Sequence, residues 1–453
     1  MNELIIGFEY TDVKNNKFFE SFPNGWPNND DELFDFLTED YKTSNLWWMG
    51  DFDSSNFLKT NVLESFRNSY TYAHDCIVSK NLFNQNGEIP NYAKVMNVNT
   101  IENKKYIFPF FVPCASLFQL KNFFVKGIYL SEKVKNDCRN GFCKILVAHH
   151  LEGDATHFEI ISEFIRHQAE FHKLPLDSFA FLDGNILTPK LFGSLGIKGF
   201  SKMTWENRNT VLNPQDFEKS IYNLLYNEEK PYYFLCLNRR SRTHRIIVTS
   251  EIFNRWNDKF LWSLLEKFVF PEEYFHEPMK MYQKNLFKNY ETNITTEFYN
   301  ILPKTIDFKS SVNDHNIRLN LQQQAYINVV TETIFFEPNT LMLTEKIYKP
   351  IIGIQPFIVV GPHNILKTLK DEGYKTFHPY INEEYDNIEN NEERMKAIFR
   401  EINRIAQMKK SDVAELTRKL STRCIHNYYH WKQRNLDNFQ EFRLIQDLKE
   451  WLK

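Results

Sequence analysis

Short apolar runs alternate with stretches of helical spacing along much of this chain, a pattern that predicts an α/β fold with a mostly parallel sheet. Leu4–Phe8 reads as an opening strand, followed by a helix near Asp30–Leu37. Aromatic strands such as Tyr106–Val112 occupy the region 100–130. From about residue 143 the alternation becomes regular. Lys144–Ala148 is a buried strand, and 156–170 is a helix with Phe158, Ile161, Phe164 and Ile165 on one face. Phe179–Leu182 is the next strand. Asn213-Pro214 opens a helix, with proline where no N–H is needed. Tyr232–Leu237 is then a strand, a basic loop follows, and a helix runs over about 243–255. Residues 256–320 read as an irregular insert. Beyond it lie a strand at Tyr326–Val330, a helix at Thr344–Ile352, a strand at Pro356–Val360 and a helix at His363–Glu372, stopped by Gly373. Charged amphipathic helices cover 391–409 and 411–422, and a last one covers 436–452.

A length of 453 residues suggests two or three domains. The chain divides into a lobe over 1–225, a second over 226–435 and a terminal helix over 436–453 that packs back on the first lobe. Aromatic residues make up 16% of it, so its cores are expected to be rich in rings. The net charge of −3 provides no global positive field for nucleic acid, although a local basic groove stays open. The six cysteines form no CxxC pair and no zinc spacing, which suits free buried thiols in a reducing compartment. The opening MNELIIGFEY lacks the basic and long apolar regions of a signal peptide. No run approaches the ~20 apolar residues of a membrane span. The expected location is therefore cytoplasmic, or the host cytoplasm if the source is a virus.

Candidate chemistry concentrates between Ile327 and Phe377. A strand ends at Glu332, an acidic loop carries Glu337, and a helix begins at Thr344-Glu345-Lys346. Open α/β sheets bind ligands beyond the carboxyl ends of their strands, where helix N-termini favour phosphate. A carboxylate there can accept both ribose hydroxyls, while lysine and arginine neutralise a diphosphate. Taken alone, Thr344-Glu345 is also an ordinary N-cap with an acidic first turn. A second strand end delivers the basic stretch Asn238-Arg239-Arg240-Ser241-Arg242. Cations at a helix start oppose the helix dipole, so an anionic ligand accounts for them better than stability does. Arg239 and Arg240 are the expected phosphate contacts, with His244 and Arg245 facing the helix packing.

The segment FFEPNTLMLTEKIYKP, followed by PFIVVGP, resembles the donor-binding motif of α-1,3-fucosyltransferase-type enzymes. That motif has a Phe-Glu-Asn-Ser segment, then Tyr-Ile-Thr-Glu-Lys, then a Pro-Val-Val strand. It is more similar still to a set of bacterial and viral glycosyltransferases. These carry a Val-Thr-Glu strand end before Thr-Glu-Lys and a Gly-Phe-x-Thr-Phe segment after it. Gly373-Tyr374-Lys375-Thr376-Phe377 and Glu384-Tyr385-Asp386 fit that set. The resemblance covers roughly 230–430. It implies a GT-B fold, two Rossmann-like lobes with a cleft between them, and an inverting, metal-independent transfer. The donor is a nucleoside-diphosphate sugar, the acceptor a glycan or other hydroxyl compound, and no cofactor is needed. The donor would be held by Asn238, Arg239, Arg240, Glu332, Thr344, Glu345 and Lys346. Glu345 would take the ribose, and Lys346 the phosphate or sugar side. Glu337-Pro338-Asn339 departs from the fucosyltransferase pattern, with a shorter spacing to Thr344, so sugar and nucleotide stay open.

An inverting transferase needs a base for the acceptor proton. The loop His149-His150-Leu151-Glu152-Gly153-Asp154 follows a buried strand and places Glu152 first, with Asp154 and His150 beside it. Asp183 and Glu9 are further candidates. A rival reading starts from Asp51-Phe52-Asp53 after an apolar run, the pattern by which GT-A enzymes hold a metal and a diphosphate. Two other functions fit the same residues. One is a phage-type DNA glycosyltransferase acting on a hydroxymethylated base, the other a non-catalytic sugar-nucleotide-binding protein.

Overall fold

The computed structural model describes residues 4–8, 93–112, 130–149, 158–202, 212–226, 229–265, 288–290, 293–306, 318–336, 339–437 and 439–453. The chain forms two compact units, residues 1–202 with 440–453, and residues 203–439. Each is built on a parallel sheet, so the α/β class expected from the pattern is the class the chain adopts.

Among the described residues the first unit holds six strands: β1 Leu4–Phe8, β2 Ala93–Asn97, β3 Tyr106–Val112, β4 Cys143–His149, β5 Phe179–Asp183 and β6 Lys198–Ser201, in the order β2-β1-β3-β4-β5-β6. Side chains of a strand alternate between faces, and here both faces are apolar. In β4, Ile145 and Val147 enter a core shared with Val134 and Cys138 of the helix Glu132–Arg139 and with Phe164 and Ile165 of the helix Phe158–His172. Leu146 and Ala148 point the other way, into a core with Leu444, Ile445, Leu448 and Leu452 of the helix Phe439–Leu452. The last helix of the chain thus packs on this second face of the sheet.

The second unit holds β7 Tyr232–Asn238, β8 Phe260–Leu264, β9 Ala325–Thr331 and β10 Phe357–Val360, in the order β10-β9-β7-β8. All seven residues of β9 and all four of β10 are buried. After β7 the chain lays β8 on one side, then crosses to lay β9 and β10 on the other. The order therefore reverses between β7 and β9, the place where open α/β sheets bind ligands, beyond the carboxyl ends of their strands. The helix Pro214–Leu225 belongs to this unit, where Phe217 meets Tyr428 at 4.7 Å between ring centroids.

Several elements differ from the sequence reading. β8 lies inside the region read as an irregular insert, and β2 and β6 carry no clear alternation. The helix Ser421–Leu436 went unread because His, Asn and Tyr form helices weakly. Its buried Cys424, Asn427, Tyr428 and Trp431 hold it by packing instead. Gly373 is needed at its turn: φ is +91°, and a Cβ there would come within 2.8 Å of the His430 ring.

Candidate functional site

The carboxyl ends of β7 and β9 gather the charged residues expected to hold the donor. β9 delivers Glu332 as its first residue beyond the strand. The Glu332 backbone N–H donates to the Val360 carbonyl at 2.9 Å, which fixes the residue against β10. Its carboxylate is 1% exposed, so every oxygen needs a partner from the protein or from a ligand. Oε2 accepts from the Thr333 N–H at 3.2 Å and from the Thr344 hydroxyl. Oε1 is buried with no hydrogen-bond partner among the described residues.

Thr344 is the N-cap of the helix Glu345–Ile352, and its hydroxyl oxygen accepts from the Lys346 N–H at 3.4 Å. The Lys346 ammonium reaches the Glu345 carboxylate at 2.6 Å and the Thr333 hydroxyl at 3.1 Å. Glu332 therefore stands together with Thr344, Glu345 and Lys346, which follow it by twelve to fourteen positions in the sequence. Lys349, one turn further along the helix, belongs to the same cluster. Sequence reasoning did not assign it a role, although its position four residues after Glu345 was a usable signal.

From β7, Asn238 spends its side chain on the sheet. Its Oδ1 accepts from the Thr331 hydroxyl, and its amide donates to Cys236 Sγ at 3.3 Å, tying the ends of β7 and β9. Arg239 and Arg240 have exposed side chains. Arg242 turns inward and donates to the Thr333 carbonyl at 3.0 Å, touching the residue that Lys346 also touches. His244 and Arg245 are buried at the start of the helix Thr243–Arg255. They donate to the Glu332 carbonyl at 2.8 Å and 3.0 Å respectively, so the basic strand end of β7 holds the acidic strand end of β9 in place.

The electrostatics follow from burial and from these neighbours. Burial pushes the Glu332 carboxyl up, against the pull of Lys346 and Thr344. Burial would also raise Glu345, but Lys346 and Lys349 outweigh it and hold its carboxyl below the usual range. Lys349 is pushed down to about 8, chiefly by burial, with Lys346 and Arg318 adding repulsion. Arg245 is lowered to about 10 by burial and by Arg242. Burial drives His244 well below its ordinary value, with Arg245 acting in the same direction. A neutral ring donates through one nitrogen only, and the Glu332 carbonyl requires that nitrogen to be Nε2. Two carboxylates thus meet Arg242, Arg245, Lys346 and Lys349, an excess of positive charge suited to an anionic ligand.

A raised carboxyl makes a pH prediction. Glu332 has a higher proton affinity folded than unfolded, so its contribution to stability is complete below about pH 4.5 and is lost as pH rises through its folded pKa. Glu332→Gln is therefore expected to gain stability relative to the native protein as pH rises from 4 to 7. Urea denaturation across that range measures it. A stability difference independent of pH would show that Glu332 does not titrate as described.

Other expectations find different places. At the start of the helix Ile365–Asp371 the Asp386 carboxylate accepts from the Leu366 and Lys367 N–H groups at 2.9 Å and 2.8 Å, so these are satisfied within the chain. Tyr385 accepts the Val359 N–H at 3.2 Å through its hydroxyl. The Tyr385-Asp386 pair thereby supports β10 and the helix after it. Asp183 accepts from the Asn185 N–H at 3.0 Å and from the Thr188 hydroxyl, which closes the turn after β5. The candidate bases Glu152, His150, Asp154 and Glu9, together with Asp51, Asp53 and Glu337, lie outside the described residues. Cys138, Cys143, Cys236 and Cys424 are free and buried. Among the described residues no helix is long and apolar enough to cross a membrane.

No protein-family model matches the chain, and no curated protein does. Among solved structures the chain is similar to an α,α-trehalose 6-phosphate synthase from Burkholderia multivorans, at 7% identity. That likeness covers 78% of this chain and 74% of the other, with a TM-score of 0.35.

Proposed function

We propose that this chain is a glycosyltransferase of the GT-B class, moving a sugar from a nucleoside diphosphate to a hydroxyl acceptor with inversion. The observation that carries the reading is the cluster at the strand-order reversal of the second unit. There Glu345 and Lys346 open a helix beside Glu332, whose Oε1 lacks a partner among the described residues. In this reading the ribose hydroxyls donate to Glu345. Lys346 faces the diphosphate, and Arg240, exposed at the end of β7, closes on it from the other strand. A hydroxyl of the donor satisfies Glu332 Oε1. The cations take up the charge that develops on the leaving diphosphate, so no divalent metal is required. Glu152 is the proposed base for the acceptor proton, with His150 and Asp154 beside it.

The test is a thermal-shift panel of UDP-, GDP-, CMP- and dTDP-sugars, followed by transfer and donor-hydrolysis assays with the sugar nucleotide that binds. Stabilisation by one nucleotide class and turnover of its sugar are the expected results. Binding without hydrolysis or transfer would leave a sugar-nucleotide-binding protein in place of an enzyme. EDTA is expected to leave the rate unchanged. Loss of activity in EDTA, recovery with manganese and loss again in Asp51→Asn would move the diphosphate to Asp51 and Asp53.

A further inference from the structure

The second unit has a cavity of about 560 Å³ that the site above does not use. It is lined by Lys370, Tyr374, Lys375, His378, Thr422 and Arg423, among others. It lies at the opposite end of the sheet from Glu332. Phe377, at the middle of this loop, packs edge-on against Phe357, the first residue of β10, at 4.8 Å between centroids. Glu332 follows the last residue of β9, which pairs with the last residue of β10.

The charges here are unbalanced. Lys370 pairs with Glu383 at 3.6 Å. Glu383 is also committed to the Thr376 hydroxyl at 2.7 Å and to the Phe377 N–H. Among the described residues Lys375, His378 and Arg423 have no acidic partner. The Arg423 guanidinium is nevertheless held in position, because one of its nitrogens donates to the Thr376 carbonyl. The loop is held as well: Asn427 accepts the Lys375 N–H at 2.7 Å and donates to its carbonyl at 2.8 Å. A held loop and a held helix thus present Lys375 and Arg423 to one concavity without an acidic partner among the described residues, a surface suited to an anion.

We propose that this cavity is a binding site for a small phosphate-bearing molecule, separate from the Glu345–Lys346 cluster. Its volume falls within the range of about 300–1,000 Å³ usual for small-molecule sites. The donors come from two walls, Lys375 and His378 on the loop and Thr422 and Arg423 on the helix Ser421–Leu436. A tetrahedral phosphate offers acceptor oxygens in both directions at once, whereas a carboxylate offers two in one plane. The inference stands whether or not the second unit binds a sugar nucleotide.

Crystals of the full chain soaked in tungstate, a heavy analogue of phosphate, locate the site directly. An anomalous peak between Lys375 and Arg423 is expected, present also in Glu345→Ala and reduced in Lys375→Gln at the same tungstate concentration. Calorimetric titration with inorganic phosphate at about 0.15 M ionic strength gives the affinity. Lys375→Gln is expected to weaken it by about fivefold, the upper range for one exposed ion pair. Lys375 contributes to the fold through its backbone, so this variant should keep the native melting temperature. Tungstate found only beside Lys346, or phosphate affinity unchanged in Lys375→Gln, would overturn the assignment.

Discussion

Replacing Glu345 by alanine is expected to weaken nucleoside-diphosphate binding by about 10- to 100-fold, the loss that follows from removing a charged acceptor of two hydroxyl hydrogen bonds. Glu345 is suited to that role because its carboxyl is held ionised. Burial opposes the charge, but Lys346 at 2.6 Å and Lys349 one turn on prevail. A carboxylate already charged and already positioned loses little on accepting a ribose. Glu345→Gln keeps the shape and one acceptor oxygen, and its loss is expected to be smaller. The two variants separate charge from geometry. The fold should survive both, since the helix is capped by Thr344 and anchored by buried Ile347, Tyr348, Ile351 and Ile352. Calorimetry with the nucleotide that wins the panel is the measurement. Native affinity in Glu345→Ala would remove the donor site from the ends of β7 and β9.

Arg394 carries the second large effect, and it acts on the loops that frame the site. It is 2% exposed and uses all three guanidinium nitrogens. Nε donates to the Gly361 carbonyl at 3.2 Å, Nη1 to the carbonyls of Ile388 and Glu389 at 2.8 Å and 2.9 Å, and Nη2 to the Phe335 carbonyl at 2.7 Å. The guanidinium also lies 4.5 Å from the centroid of the Phe335 ring. One side chain thereby ties the loop after β9 to the turn after β10. Burial lowers its pKa to about 10 without neutralising it near pH 7. Arg394→Met fills similar volume but leaves those carbonyls unpaired, at about 1–3 kcal/mol for each that water cannot reach. A total loss of about 3–5 kcal/mol is expected, at the upper end for single substitutions. Arg394→Lys should recover little of it, because an ammonium cannot reproduce the planar fork. Urea denaturation reads the change. A loss below about 1 kcal/mol would mean that the loops are held by other contacts.

Much of the second unit is legible along the chain. Tyr232–Asn238, Ala325–Thr331 and Phe357–Val360 are dense apolar runs because a parallel strand is covered on both faces. The helices after them announce themselves by Thr344 before Glu345 and by Gly373 after Asp371. The grouping of Glu345 with Lys346 is local and needs no tertiary contact to be seen. Such features depend on neighbours in sequence, and sequence records those neighbours directly.

Other features exist only because distant segments meet. β8 is five residues long, and the helix Ser421–Leu436 is poor in strong helix formers, so packing decides both. Arg394 sits in the charged run NEERMKAIFR and looks solvated there. It shares a face with Ile398, Ile402 and Ile405, and the loops after β9 and β10 bury it on that face. His244 and Arg245 read as facing the helix packing, and they are buried there, but their partner, the Glu332 carbonyl beyond β9 and eighty-odd residues away, is set only by the fold. The orphan oxygen of Glu332 is likewise invisible in sequence. Residue type fixes how many hydrogen bonds a carboxylate can accept, but only the packed surroundings determine which are left unmade.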